Sequence, residues 1–173
     1  MADNKIKVFD NYLLPKDFTD INLYCLGRDI KWTLCSEIVQ NSESEYNFQF
    51  VDSVYHVNKG ITSPTSFNVI KPLLNEIKPI AINRIKINLI PKTPKNYVSG
   101  LHTDIDKSRY LENEATTAIF YVNSNDGGTR FENNFQVNSK KNRICMFPYY
   151  LKHSGVSCTD QDVRIAININ FFR

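Results

Sequence analysis

The chain has 173 residues, of which 42% are hydrophobic and 23% charged, with a formal net charge of +3. This length supports one sizeable core but not two ordinary domains, and the scattered basic residues do not form the patch typical of nucleic-acid-binding proteins. No run approaches the roughly 20 apolar residues of a membrane span, and neither a signal peptide nor a CxxC pair is found, so we expect a cytoplasmic protein with reduced cysteines and no membrane partner.

The N-terminal half contains two helical patterns. Apolar residues of the first recur at helical spacing, and Pro15 suits its first turn because a proline there loses no hydrogen bond. In the second, Pro72 must either start or kink the helix. The repeating apolar residues are Leu14, Phe18, Ile21 and Cys25 in the first pattern, and Phe67, Ile70, Leu74 and Ile77 in the second.

From residue 84 onward the spacing changes to the alternation of β-strands. Candidate strands cover residues 84–89, 116–122, 129–131, 142–147 and 163–171. Short strands at this density, separated by polar and glycine-containing turns, predict a mainly β fold with supporting helices (α+β), most simply a jelly roll with the helices on one side.

The last predicted strand has one apolar and one polar face. Its apolar face carries Val163, Ile165, Ile167, Ile169 and Phe171, and its polar face carries Arg164, Ala166, Asn168 and Asn170. One face belongs to the core, and the other faces either solvent or a polar cavity.

The segment His102-Thr103-Asp104 is a candidate half of a metal site. Residues i and i+2 of an extended segment point to the same side, so the imidazole and the carboxylate can reach one ion. The later His153 has enough intervening chain to return beside them. Two histidines and one carboxylate form the facial triad of non-haem iron(II) oxygenases, with three positions left open.

Arg164 begins the polar face of the last strand and follows His153 closely in the sequence. A guanidinium binds a carboxylate through two parallel hydrogen bonds, so arginine is suited to a dicarboxylic cosubstrate. The alternative for this residue is a surface ion pair.

These motifs resemble the iron(II)/2-oxoglutarate oxygenases, particularly their prolyl-hydroxylase-like branch. The resemblance covers residues 84–173. It includes the H-x-D at His102, the distal histidine at His153, the arginine strand that starts at Arg164, a strand with a tyrosine at Tyr121, and the Gly-Gly turn that follows.

The resemblance implies a double-stranded β-helix core in residues 84–173, helix-rich support in residues 1–83, and one oxygenase domain over residues 1–173. His102, Asp104 and His153 would hold Fe(II) and form the catalytic centre. Arg164, with Tyr121 and Asn168, would hold 2-oxoglutarate; a core tyrosine and an interstrand amide are the alternatives for the last two.

The implied reaction is hydroxylation of an unactivated C–H bond with O2 and 2-oxoglutarate, releasing succinate and CO2, with ascorbate as a supporting reductant. The expected substrate is a prolyl or other side chain of a peptide or protein. Asn88 and Ile90 stand where prolyl hydroxylases often place another tyrosine. We expect residues 91–101 and 106–114 to form substrate-facing loops.

Several alternatives remain open at this point. A small-molecule hydroxylase would use the same metal site, and a non-catalytic jelly-roll binding module would use the same fold. Nucleobase demethylation is disfavoured because Asn170 stands where that branch carries a second arginine. A cupin-like metal protein would require more histidines, and the third histidine of the chain, His56, lies outside every motif.

Overall fold

The alternating strands fold into two antiparallel sheets with helices on one side. The computed structural model describes residues 5–38, 46–105 and 115–173. The helices are α1 (Pro15–Leu26), α2 (Pro64–Val69) and α3 (Lys71–Ile77). The strands are β1 (Lys7–Phe9), β2 (Thr33–Cys35), β3 (Gln49–His56), β4 (Gly60–Ile61), β5 (Ala81–Pro91), β6 (Ala115–Tyr121), β7 (Gly128–Phe131), β8 (Gln136–Asn138), β9 (Arg143–Pro148), β10 (His153–Val156) and β11 (Val163–Phe172).

The larger sheet has the strand order β1-β9-β6-β11-β5-β3-β2, with β4 paired to β3, and the smaller sheet has the order β10-β7-β8. Every strand pairing is antiparallel. The predicted mainly β jelly-roll fold with supporting helices is therefore confirmed.

The helices cover one face of the larger sheet and form the main core with it. Ile21 and Cys25 of α1, together with Leu73 and Ile77 of α3, are buried in this core. Fully burying an aliphatic side chain contributes about 1.5–3 kcal/mol, so this layer supplies much of the hydrophobic stabilisation. Leu14 is 72% exposed because it precedes the helix as its N-cap, so it does not join the apolar stripe that the sequence predicted.

The central strand β11 separates the core from the interior between the two sheets. Ile165, Ile167 and Ile169 face the helices and are buried in the main core. Arg164 and Asn168, on the opposite face, line a cavity between the sheets. The predicted polar face therefore faces a cavity and not solvent.

The N-terminal half differs from its helical prediction in two respects. The second helical pattern is broken at Ile70 into α2 and α3, and Pro72 lies in the first turn of α3. Residues before 84 also contribute strands, since β3 pairs with β5 in the larger sheet. The division at residue 84 stays a prediction, although the larger sheet takes strands from both sides of it.

Among the described residues, no helix is long and apolar enough to cross a membrane. The predicted loop of residues 106–114 lies outside the described residues.

Candidate metal centre

The three predicted metal ligands lie together in the wall of the cavity between the sheets. His153 begins β10, and His102 forms an isolated β-bridge to it, with a backbone hydrogen bond of 3.0 Å in each direction. One ligand atom from each of His102, Asp104 and His153 lies within 4.8 Å of the others. The fold therefore brings together residues that are far apart in sequence.

Backbone carbonyls fix the orientation of both imidazole rings. The Nδ1 of His102 lies 3.0 Å from the oxygen of Gly100, and the Nδ1 of His153 lies 3.1 Å from the oxygen of Leu151. A carbonyl oxygen only accepts hydrogen bonds, so each Nδ1 carries the hydrogen. This leaves Nε2 of each ring as the metal-binding atom, and such outer contacts are typical of histidine ligands.

Burial keeps His153 in the form that a metal needs. Burial lowers the pKa of His153, although the carboxylate of Asp104 opposes this effect. The Nε2 of His153 lies 3.6 Å from Oδ2 of Asp104. A neutral imidazole beside an anionic carboxylate is the ligand state that divalent metals bind.

Asp104 is a buried carboxylate with an unusually complete set of donors. Arg84 donates to its Oδ1 at 2.9 Å, and the amides of Asn168 and Asn170 donate to its Oδ2 at 3.0 and 3.1 Å. Burial alone would raise its pKa, but His153 and Arg84 outweigh burial and hold the pKa of Asp104 below its usual range. The residue is therefore an anion at neutral pH.

Arg164 is a buried guanidinium in the wall of the same cavity. Arg164 is 4% exposed, and its Nε has no hydrogen-bond partner among the described residues. No carboxylate of the described residues lies within ion-pair distance of it. Burial lowers the pKa of Arg164, while neighbouring Tyr121 opposes this effect. A buried cation without an anionic partner is costly, so the site fits an anionic ligand.

Tyr121 lies behind the cavity wall and not in it. Its hydroxyl donates to Oγ1 of Thr129 at 2.8 Å, and the Arg164 guanidinium lies 5.7 Å from the centre of its ring. Thr129 lines the cavity, so its hydroxyl, which Tyr121 holds from behind, can contact a ligand there. Sequence reasoning missed Thr129 because a threonine in a short strand carries no distinctive signal.

The cavity measures about 170 Å³ and lies between the two sheets. Its wall contains three cations and several amides. It also includes Asn88 and Ile90, the two positions where prolyl hydroxylases often place a tyrosine. The residues relevant to ligand binding are Gln49, Arg84, Lys86, Asn88, Ile90, Thr129, Arg164 and Asn168. Arg84 and Lys86 were recognised in the sequence only as the polar side of a strand.

The structure also places three other parts of the chain. In a regular strand Thr103, between His102 and Asp104, would point away from them, but it lines the cavity because the segment beyond His102 is not regular strand. His56 lies outside the cluster, and its Nδ1 accepts the backbone N–H of Asn58. Residues 91–101 are held against the smaller sheet by bonds such as Ser99 N–H to Gly155 O, and their contact with substrate stays a prediction.

The distances between these residues suit iron and 2-oxoglutarate. Asn168 contacts Asp104, and Arg164 lies four residues earlier on β11, about 13 Å away along an extended strand. An arginine side chain and a five-carbon dicarboxylate together can span that length. The residues present therefore fit both groups.

No protein-family model and no curated protein sequence matches this chain.

Solved structures do match over nearly the whole chain. A Trichoplax adhaerens prolyl hydroxylase, bound to a peptide of the hypoxia-inducible factor, has a TM-score of 0.63 and 12% identity, covering 98% of this chain and 84% of that one. A collagen prolyl hydroxylase of Paramecium bursaria Chlorella virus-1, in its 2-oxoglutarate complex, has a TM-score of 0.62 and 12% identity, covering 98% and 97%.

A third match is SnoN, a non-haem α-ketoglutarate-dependent epimerase from nogalamycin biosynthesis, with a TM-score of 0.61 and 10% identity, covering 97% of this chain and 77% of that one. Enzymes with peptide and small-molecule substrates thus share the architecture. At these identities the likeness concerns the fold, and it confirms that the chain has the double-stranded β-helix of the iron(II)/2-oxoglutarate oxygenases.

Proposed function

We propose that this chain is an iron(II)- and 2-oxoglutarate-dependent dioxygenase that hydroxylates an unactivated C–H bond. The observation that carries the proposal is the presence, in one cavity, of a His-Asp-His cluster and a buried guanidinium without an anionic partner among the described residues. A structural metal site would not need the guanidinium. A non-catalytic binding module would need neither group.

The metal would be held by Nε2 of His102, Nε2 of His153 and a carboxylate oxygen of Asp104. Three protein ligands leave coordination positions open, as a catalytic site requires. The far carboxylate of 2-oxoglutarate would pair with Arg164 and receive the hydroxyl hydrogen of Thr129. In this arrangement Tyr121 positions Thr129, and Asn168 positions Asp104.

When bound, iron(II) and 2-oxoglutarate supply the oxidising chemistry, in which O2 and 2-oxoglutarate become succinate and CO2 while one C–H bond of the substrate becomes C–OH. The chain itself orients the reactants and excludes water. Ile90 and Ile119 contribute apolar side chains to the cavity wall.

A prolyl or other side chain of a peptide or protein is the first candidate substrate, and a cytoplasmic location is the expected one. Two of the similar structures are prolyl hydroxylases, one of them with a bound peptide. A small-molecule substrate is the second candidate. It is favoured by the limited volume of the polar cavity and by the architecture shared with SnoN.

The first test adds Fe(II) and 2-oxoglutarate to the protein without oxygen and records the visible charge-transfer band of a metal-chelated 2-oxo acid. The parent protein should develop the band. His153→Ala should lose it, while His56→Ala should retain it because His56 lies outside the site. A folded parent with no band and no 2-oxoglutarate binding by calorimetry would contradict the proposal and favour the binding module.

The role of Arg164 in cosubstrate binding is tested with the variant Arg164→Met, and Arg130→Met is its control. Loss of a hydrogen bond to a charged group costs about 1.5–3 kcal/mol, so Arg164→Met should need about 10- to 100-fold more 2-oxoglutarate for half of the band. Arg130 bonds to Gln136 and does not line the cavity, so its variant should behave as the parent. Succinate release in the presence of prolyl peptides or small acids then distinguishes the two substrate classes.

A further inference from the structure

Two of the three cations in the cavity wall, Lys86 and Arg164, make no ion pair with the described residues, and the proposed function explains only one of them. Arg84 pairs with Asp104, and Arg164 is assigned to 2-oxoglutarate by the proposed function. Lys86 also lines the cavity, yet it makes no hydrogen bond or ion pair with the described residues. It is therefore the cation left for another ligand.

The strand register places Lys86 at the metal end of the cavity. On β5, Lys86 lies opposite Asn168 of β11, whose amide contacts the metal-binding Asp104. Arg164 lies opposite Ile90, four residues further along the strand pair and about 13 Å away. The two cations thus lie at different ends, and one five-carbon cosubstrate that reaches Arg164 leaves Lys86 available.

The surroundings of Lys86 favour an anionic partner. Burial lowers the pKa of Lys86, and Arg84 lowers it further, whereas Cys35 and Asp104 raise it. A lysine on a protein surface would simply extend its ammonium into water. Lys86 instead faces a cavity beside a second cation, where a bound carboxylate would relieve both the burial and the repulsion.

The same end of the cavity also offers acceptors for N–H groups. The amide nitrogen of Asn168 donates to Asp104, which fixes the orientation of this amide because a carboxylate only accepts. Among the described residues its Oδ1 is then a buried acceptor without a partner, and Oδ1 of Asn88, which pairs with Ala166 halfway toward Arg164, is a second one. A 2-oxoglutarate dianion has no N–H or O–H to donate to them.

We propose that Lys86 binds a carboxylate of the prime substrate, and that Asn168 and Asn88 accept hydrogen bonds from its N–H groups, so that the substrate presents an ionised carboxylate close to N–H groups, as amino acids and acidic peptides do. This inference rests on the proposed function and names its substrate class. The carboxylate can belong to a free amino acid or to an acidic residue beside the target in a peptide.

The test uses protein loaded with Mn(II) and 2-oxoglutarate, and measures binding by calorimetry without turnover. The probes are L-proline with L-prolinamide as its uncharged counterpart, and an Asp-Pro peptide blocked at both ends with its Asn-Pro counterpart. Free proline and the acidic peptide separate the two sources of the carboxylate. The variants are Lys86→Met, Lys86→Arg and, as matched control, Lys92→Met, whose lysine is exposed and outside this cavity.

At least one acid should bind the parent protein about 10- to 100-fold more tightly than its amide, the range expected for a hydrogen bond to a charged group. Lys86→Met should remove this preference, Lys86→Arg should retain most of it, and Lys92→Met should match the parent. The affinity for 2-oxoglutarate should stay unchanged in Lys86→Met.

Three results would overturn the inference: no preference for either acid, an unchanged preference in Lys86→Met, or weakened 2-oxoglutarate binding in that variant. The last result would assign Lys86 to the cosubstrate. Absence of 2-oxoglutarate binding in the parent would instead reject the proposed function, and the inference with it, so the two failures are distinguishable.

Discussion

Asp104 illustrates how single residues prepare this site. Its two oxygens accept three hydrogen bonds, from Arg84, Asn168 and Asn170, before any metal is considered. Arg84 binds Oδ1, whereas Oδ2 accepts from both amides and lies 3.6 Å from Nε2 of His153. Arg84 therefore balances the buried negative charge and fixes the plane of the carboxylate.

Replacement of Arg84 by methionine should destabilise the metal-free protein. The loss of a hydrogen bond to a charged group predicts a decrease of about 2 kcal/mol in the free energy of unfolding. Mn(II) should recover part of this loss, because the bound cation supplies the positive charge that Arg84 provided. Urea unfolding with and without Mn(II) measures both effects.

The control for this prediction is Arg130→Met, which removes a cation that bonds to Gln136 away from the metal site. Its stability difference should be the same with and without Mn(II). Equal destabilisation of Arg84→Met in both conditions would show that Arg84 acts only as a packing residue.

Among single residues, the sequence predicted those that belong to a recognisable motif. The H-x-D segment, His153 and Arg164 carry motifs, and the structure brings them to one cavity. Alternation alone indicated that Arg84 and Lys86 share a face of a strand, but it cannot decide whether that face meets solvent or a second sheet. That decision depends on strands distant in sequence.

Among the elements, the short strand β7 depends on two adjacent glycines. A side chain at Gly128 would collide with the carbonyl oxygen of Val137 on β8, and one at Gly127 would lie 2.5 Å from the carbonyl oxygen of Val156. Both positions therefore require glycine because neighbouring backbone atoms lie too close for a side chain. This approach places Thr129 of β7 in the wall of the cavity.

Gly128→Ala should lower the free energy of unfolding by about 1–3 kcal/mol, the usual effect of overpacking, because a backbone must move to admit the methyl group. Gly155→Ala is the matched control on the neighbouring strand. Its methyl group would lie 3.7 Å from Ile90 and Ser99, an ordinary contact, so the change should stay below about 1 kcal/mol. Similar losses in both variants, measured by denaturant unfolding, would refute this explanation.

Five of the strands after residue 84 were predicted from their alternation, whereas β3 was not. The adjacent residues Val51 and Asp52 of β3 point to opposite faces and are both buried, so burial along this strand does not alternate. Its register with β5 also shifts between Ser53 and Tyr55, which disturbs the period of two further along. Strand β10 contains His153, Ser154 and a glycine, and such a short polar strand has no periodic signal.

On the scale of the whole molecule, the buried residues Cys25 and Cys145 can show whether its two cores unfold together. Cys25 of α1 lies in the core between helices and sheet, and Cys145 of β9 lies in the core between the sheets. Burial raises the pKa of each thiol to about 12. Cys35 is only half-buried, on the edge strand β2.

A thiol reagent at neutral pH should therefore react rapidly with Cys35 and slowly with Cys25 and Cys145. If residues 1–173 form one cooperative domain, Cys25 and Cys145 should become reactive at the same urea concentration, which mass spectrometry of the labelled peptides can measure. Exposure of Cys25 at a lower concentration than Cys145 would show that the helical layer unfolds separately.

The paired backbone bonds between His102 and His153 have a consequence for how this protein can change through evolution. The two histidines form one isolated β-bridge, and Val98 and Val156 form a second one nearby. Because the bonds between the histidines join backbone atoms, they do not depend on the side chains of the neighbouring residues. Side chains around the cavity can thus change while the backbone that positions these two histidines is inherited unchanged.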